Sequence, residues 1–260
     1  MSRGAARPDR LTDGQVAEIL DLARSADSVE LKLTLPSTER RATVVALGID
    51  VLDAQIRQVF FFDTPELALD EQGIVVRARR TQGRDDDTVV KLRPVVPEEV
   101  EQWRSSEVVS VEIDAMPGGY VCSASAKYAV KAPAVKEAVA GGRPLRKIFS
   151  KEQRDFFAAY APSGVELGDL AILGPITVFK VKTSLDELPR RIVGELWWYP
   201  DGSQILELSA KCRPEETFQA AAELRAALAS RGVDLDAEQQ TKTRTALEYF
   251  AANLRSDSSG

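Results

Sequence analysis

Charged side chains recur two positions apart in short apolar runs of this chain. The runs hold Glu30-Leu-Lys32, Arg77-Ala-Arg79, Lys91-Leu-Arg93, Glu112-Ile-Asp114, Lys180-Val-Lys182 and Glu207-Leu-Ser209-Ala-Lys211. In a β-strand such spacing puts both members of a pair on one face, and here the other face is Val, Leu, Ile or Ala. Any one pair of this kind is ordinarily the wet side of a sheet. Most of these pairs carry a single sign, however, and like charges held side by side repel one another. Their accumulation along one chain points to strands whose charges converge on a polyanion. The planar forks of Arg77 and Arg79 suit phosphate oxygens, with Lys32 and Lys91 as point charges and Arg93 beside them. Glu30, Glu112, Glu195 and Glu207 fall in the same alternation and offer oxygen ligands for Mg²⁺ or Mn²⁺.

Composition narrows the chemistry. The chain has 260 residues, enough for a substantial core, and a formal net charge of −6. An acidic whole argues against a nucleic-acid polymer as partner, so any cationic site must be local. Histidine is absent, which removes the commonest general base and every imidazole metal ligand. The two cysteines, Cys122 and Cys212, form no CxxC pair and no disulfide framework. Phosphoryl transfer relies on positioning and charge neutralisation and can proceed without histidine. No apolar run has the length of a membrane span and residues 1–10 lack a signal-peptide core, so the expected setting is the cytoplasm, with no membrane partner.

The elements that must position these charges read mainly as strands. They are expected at about 28–35, 51–62, 74–81, 88–95, 107–115, 144–150, 152–161, 174–183, 190–199 and 203–211. Helices are expected over 12–22, from Pro36 to Gly48, in the Ala- and Lys-rich stretch 121–140, from Pro214 to 231, and over 237–254. Residues 1–10 and 255–260 read as flexible ends around a single domain, 11–254. Short connections favour antiparallel pairing in a barrel or sandwich, and a barrel of about eight strands can enclose one small ligand.

At this point the motifs resemble a known family, the CYTH superfamily of triphosphate tunnel metalloenzymes, over roughly 28–250. That family includes thiamine triphosphatases, inorganic triphosphatases and class IV adenylate cyclases. Glu30-Leu-Lys32 resembles the end of its Glu-x-Glu-x-Lys strand, and Phe61-Phe-Asp-Thr-Pro65 its aromatic-Asp-Thr-Pro turn. Gly73-Ile-Val-Val-Arg77-Ala-Arg79 and Val89-Val-Lys91 resemble the next two strands, and Leu206-Glu207-Leu-Ser209 the late Glu-x-Glu. Arg154 is similar to a sixth-strand arginine, Glu195 to a seventh-strand carboxylate, and Lys242 to a lysine of the C-terminal helix. The resemblance implies an α+β, mainly β fold: a closed antiparallel eight-stranded tunnel with flanking helices. It implies a triphosphate held by Lys32, Arg77, Arg79, Lys91, Arg154 and Lys242. Glu30 and Glu207, with Glu195 or Glu112, are the implied ligands of Mg²⁺ or Mn²⁺, and Glu30, Lys32 and Glu207 the implied catalytic residues. Hydrolysis of a triphosphate compound is the leading expectation. The alternatives are a non-catalytic polyphosphate- or nucleotide-binding module, a class IV-type cyclase and a sheet-based protein-interaction domain.

Two departures stand out. Ser28 occupies the place of the first glutamate of the opening strand, and Ser209 that of the second glutamate of the late pair. Asp27 is offset by one residue and so belongs to the opposite face. The block 164–183 is extra relative to the family's short connection; its Lys180 and Lys182 either line the tunnel mouth or face solvent, and solvent is the slightly favoured expectation.

Overall fold

Alternating strands with one charged and one apolar face must bury the apolar face, and here they do so by closing into a ring wrapped by helices. The computed structural model describes residues 25–35, 38–104, 109–235 and 242–257. The expected helix over 12–22 and the flexible 1–10 lie outside these residues. Nine strands are present among the described residues, β1 Ser28–Leu35, β2 Gln55–Asp63, β3 Ile74–Thr81, β4 Asp86–Leu92, β5 Val109–Met116, β6 Gly119–Val130, β7 Ala171–Thr183, β8 Ile192–Trp198 and β9 Gln204–Cys212. They close in the order β1-β5-β6-β4-β3-β2-β7-β8-β9. The expected all-antiparallel barrel of eight is therefore corrected to nine. Directions cannot alternate around a ring of odd number, so one neighbouring pair must run parallel. That pair is β1 with β5, where Ser28 lies opposite Glu112 and Glu30 opposite Asp114.

Helices α1 (Arg40–Ala46), α2 (Ala68–Glu71), α3 (Glu101–Arg104), α4 (Ala134–Val139), α5 (Lys151–Tyr160), α6 (Thr217–Ser230) and α7 (Lys242–Asp257) complete the described chain. Most of the apolar face turns outward. Leu31, Leu33, Val76, Val90, Ile113, Ala124 and Leu208 form one buried layer with Phe156 of α5 and Leu224 of α6. Sheet exterior and helix interior thus make the main core, and the barrel lumen is left for other chemistry.

Two expected elements exchange type. Residues 119–130 form a strand, although their Ala content favours a helix. Ser123, Ala124, Ser125 and Ala126 are all essentially buried, and β6 lies between β4 and β5. The small side chains let α5 approach: the Gln153 amide donates to the carbonyl oxygens of Ala126 and Thr88, at 2.9 and 3.0 Å. Tertiary packing overrides intrinsic propensity at this strand. Conversely, 152–161 is helical rather than extended. Ser150 and Gln153 make a capping box, the hydroxyl accepting from the Gln153 N–H at 3.2 Å and the amide oxygen from the Ser150 N–H at 3.1 Å. The expected strand over 144–150 contains a short 3₁₀ turn, Leu145–Ile148. At the C-terminus, α7 runs three residues past the expected 254 to Asp257.

Two glycines fix close approaches in the barrel wall. Gly73 has φ +69°, and a Cβ there would lie 2.6 Å from the Arg93 carbonyl oxygen. Gly174 sits at a register shift between β2 and β7, where a Cβ would meet the Val59 carbonyl oxygen at 2.9 Å.

Candidate polyanion-binding cavity

Strand parity assigns the lumen. Glu30 and Lys32 of β1, Arg77 and Arg79 of β3, Asp87 and Lys91 of β4, and Glu112 of β5 line one cavity of about 790 Å³. So do Lys127 of β6, Lys180 of β7, Glu195 of β8 and Glu207 and Lys211 of β9, with Arg93 just past β4. Another part of the lumen is apolar. Phe61, Val178, Trp197 and Ile205 share faces with these charges and form a separate buried cluster with Ala246 and Leu247 of α7. The Phe61 and Trp197 rings stack with centroids 6.5 Å apart. The C-terminal helix therefore closes one side of the lumen and leaves a charged compartment on the other, where Thr243 and Arg244 also reach the cavity.

The turn after β2 is built around a buried carboxylate. Asp63 Oδ1 accepts from the Thr64 and Leu69 N–H groups at 2.7 and 2.9 Å, and Oδ2 from the Asp70 N–H at 3.0 Å. This satisfies the free N–H groups at the start of α2, which has no side-chain cap of its own. Asp63 is thereby a structural residue that delivers the chain to Gly73 and the arginine strand.

Pairing of the lumen charges is the feature that alternation alone does not reveal. Asp114 of β5 is 1% exposed and sits 2.8 Å from Lys32, 3.3 Å from Arg93 and 3.7 Å from Lys91. Burial opposes its charge, but these cations prevail and hold its carboxyl down to about 2. Asp87 takes a 2.7 Å bond from Arg79 Nε and lies 3.9 Å from Arg77. Glu112 is held by Lys127 at 3.1 Å and by Lys211 at 2.6 Å. Burial alone would raise its carboxyl, yet the two ammonium groups bring it down to about 2. Glu195 is shared between Lys180 at 3.1 Å and Arg57 at 3.5 Å.

The cations respond unequally. Burial works against Lys32, but Glu30, Asp114 and Glu207 outweigh it and hold the ammonium above its ordinary value. For Lys91, burial wins: together with the neighbouring charges of Lys32 and Arg93 it pushes the ammonium down to about 8. Burial likewise pulls Arg77 down, reinforced by Arg79, and the Arg77 Nε has no hydrogen-bond partner. That nitrogen is buried within the guanidinium cluster, while the Arg77 side chain as a whole lines the cavity.

Most of the residues expected from the sequence are brought together. Arg154 is not: it lies on α5 outside the barrel, donating to the Phe149 carbonyl at 2.6 Å. Its segment is a helix, so the sixth-strand placement is corrected. Lys242 opens α7, and its side chain lies outside the described residues. Lys180 was expected to face solvent, but the register shift at Gly174 turns Ile176, Val178 and Lys180 inward. Lys182 is exposed as expected. Asp87, Asp114, Lys127, Lys211 and Arg57 are the functional-looking residues that sequence reasoning did not assign. The signal for Lys211 was present in its run with Glu207. For Lys127 it was hidden by a helical reading of its strand.

A divalent ion is the cofactor that the resemblance implies. Among the described residues, no three Asp, Glu or Cys side chains assemble as ligands. Two of the four expected ligands, Glu112 and Glu195, are each engaged by two cations, and Glu30 lies 3.2 Å from Lys32. Ser28 and Ser209, both buried, line up opposite Glu112 and Lys32 respectively and offer hydroxyls there. The donor set does not fit a preassembled carboxylate metal centre.

No family model and no curated protein sequence matches the chain. Solved structures do match. A candidate adenylate cyclase of Bacillus halodurans superposes with a TM-score of 0.59 at 14% identity, over 84% of this chain and 97% of its own. HpAC1 of Hippeastrum, a candidate adenylyl cyclase with a dominant triphosphatase activity, does so with a TM-score of 0.62 at 16% identity, over 83% of this chain and 92% of its own. What this chain shares with them is the fold, a closed β-barrel flanked by helices.

Proposed function

We propose that the charged compartment binds the phosphate chain of a triphosphate compound and that hydrolysis of this chain is the reaction it supports. The observation that carries the reading is the convergence of Lys32, Arg77, Arg79, Lys91 and Arg93 on one cavity. A phosphate chain supplies further acceptors to this cluster, and Arg77 and Arg79 present forks that match its oxygens. Lys32, kept charged by three carboxylates, offsets the charge of the transferring phosphoryl group. Glu207, beside it in the lumen, is the proposed acceptor of the proton lost by the attacking water. The dominant triphosphatase activity of HpAC1, on the same fold, ranks hydrolysis ahead of cyclisation.

A second reading, binding without turnover, is favoured by one observation: Glu112 and Glu195 are occupied by cations. One experiment separates the two. The purified chain is incubated with tripolyphosphate, thiamine triphosphate or ATP, with and without Mg²⁺ or Mn²⁺, and phosphate and cyclic AMP are measured beside thermal stability. Phosphate release that disappears in Glu207→Gln supports hydrolysis. Stabilisation without release supports the binding module, and cyclic AMP the cyclase. Absence of any response to all three compounds would sink the polyanion reading.

A further inference from the structure

Glu112 is clamped by ammonium groups from two different strands. Lys127 reaches it from the neighbouring β6 and Lys211 from β9, on the far side of β1, at 3.1 and 2.6 Å. Two ammonium groups on one carboxylate carry the same formal charge as one divalent ion. They are tethered, and they need not shed the tightly held water that makes Mg²⁺ slow to accept protein ligands. Both lysine side chains are about half exposed, 48% and 58%, whereas the carboxylate is 11% exposed. All three side chains line the same cavity, and the two amines are its more exposed groups.

The rest of the lumen follows the same plan. Glu195 is taken by Lys180 and Arg57, and Asp114 by Lys32, Lys91 and Arg93. A metal seeking any of these carboxylates must displace at least two cations already in place. We infer that in this chain Lys127 and Lys211, bridged by Glu112, supply the charge that a divalent ion would supply, so that polyphosphate binding is independent of metal. This inference rests on the polyanion reading above and deepens it, since it specifies the free phosphate chain rather than its metal complex as the species bound.

The test is calorimetric titration of the full chain with tripolyphosphate, once in excess EDTA and once in excess Mg²⁺. Affinity in EDTA is expected to be at least that in Mg²⁺, or weaker by no more than about threefold. Binding that weakens by about tenfold or more in EDTA overturns the inference and leaves the polyanion reading standing. Failure to bind in either condition overturns both. A second readout needs no polyphosphate: the free Mn²⁺ resonance signal should persist on adding the native chain. In the Lys127→Gln/Lys211→Gln variant, tripolyphosphate affinity in EDTA should fall by about tenfold or more. Stoichiometric Mn²⁺ binding by the native chain would count against the inference. Lys211→Arg keeps the charge and should retain metal-independent titration, which separates loss of the bridge from loss of the fold.

Discussion

Lys91 shows how a single residue reports the state of the cavity. Burial, reinforced by the neighbouring charges of Lys32 and Arg93, brings its ammonium from the ordinary 10.5 down to about 8. A bound phosphate chain favours the charged form, so above pH 8 binding must take up a proton. Affinity for tripolyphosphate is therefore expected to fall as pH rises from about 8 toward 10.5 and to be flat in this group's contribution below that window. Folding responds with the opposite sign. The unfolded chain binds the proton more readily in this window, so Lys91's share of stability rises with pH. Calorimetry across the window, with Lys91→Arg as the permanently charged control, checks the prediction. A native profile as flat as that of the variant would refute it. Lys32, Arg77, Arg79, Lys91 and Arg93 were legible in the sequence because their spacing of two survives any register. Their partners were not, because Asp114 meets Lys32, Lys91 and Arg93 only once three strands are aligned across the lumen.

At the scale of elements, the same contrast separates motifs that are local from those completed by distant strands. The aromatic-Asp-Thr-Pro turn was visible as a turn, but its physical basis is the three N–H groups accepted by Asp63. Asp63→Ala leaves these donors without acceptors at a cost of about 1–3 kcal/mol for each that stays buried. Thr64→Ala removes a single contact, the hydroxyl that accepts from the Ala68 N–H at 3.0 Å. Chemical denaturation should accordingly show a much larger loss for Asp63→Ala than for Thr64→Ala; equal losses would mean that the turn does not depend on the carboxylate. The capping box at Ser150 and Gln153 was equally local and could have identified α5. By contrast, β6 could not have been recognised from its own composition. Its Ala and Ser positions make sense only beneath Gln153 and between two strands that contribute the other hydrogen bonds.

Over the whole molecule, an acidic chain maintains a lumen in which cations are grouped around a few buried carboxylates. Asp114 is the most consequential of these, at 1% exposure and within 2.8 to 3.7 Å of three cations. Its carboxyl, held near 2, stays ionised throughout the physiological range. Asp114→Asn keeps the shape and removes the charge, depriving Lys91 and Arg93 of their nearest carboxylate and leaving Lys32 with Glu30 and Glu207. Removal of one partner from a buried ionic cluster costs about 3–5 kcal/mol, so the melting temperature of the free variant should drop well below that of the native chain. A polyphosphate entering the cavity restores the missing negative charge. Any ligand at a hundred times its Kd stabilises the native state by about 2.7 kcal/mol, and the variant's extra unpaired cations should tighten binding beyond that of the native chain. Tripolyphosphate should therefore raise the melting temperature of Asp114→Asn by more than it raises that of the native protein at the same concentration. The comparison removes the trivial outcome, because a lesion of packing alone would lower both curves without enlarging the increment. An increment equal to or smaller than the native one would show that these cations are arranged for Asp114 itself rather than for a phosphate chain.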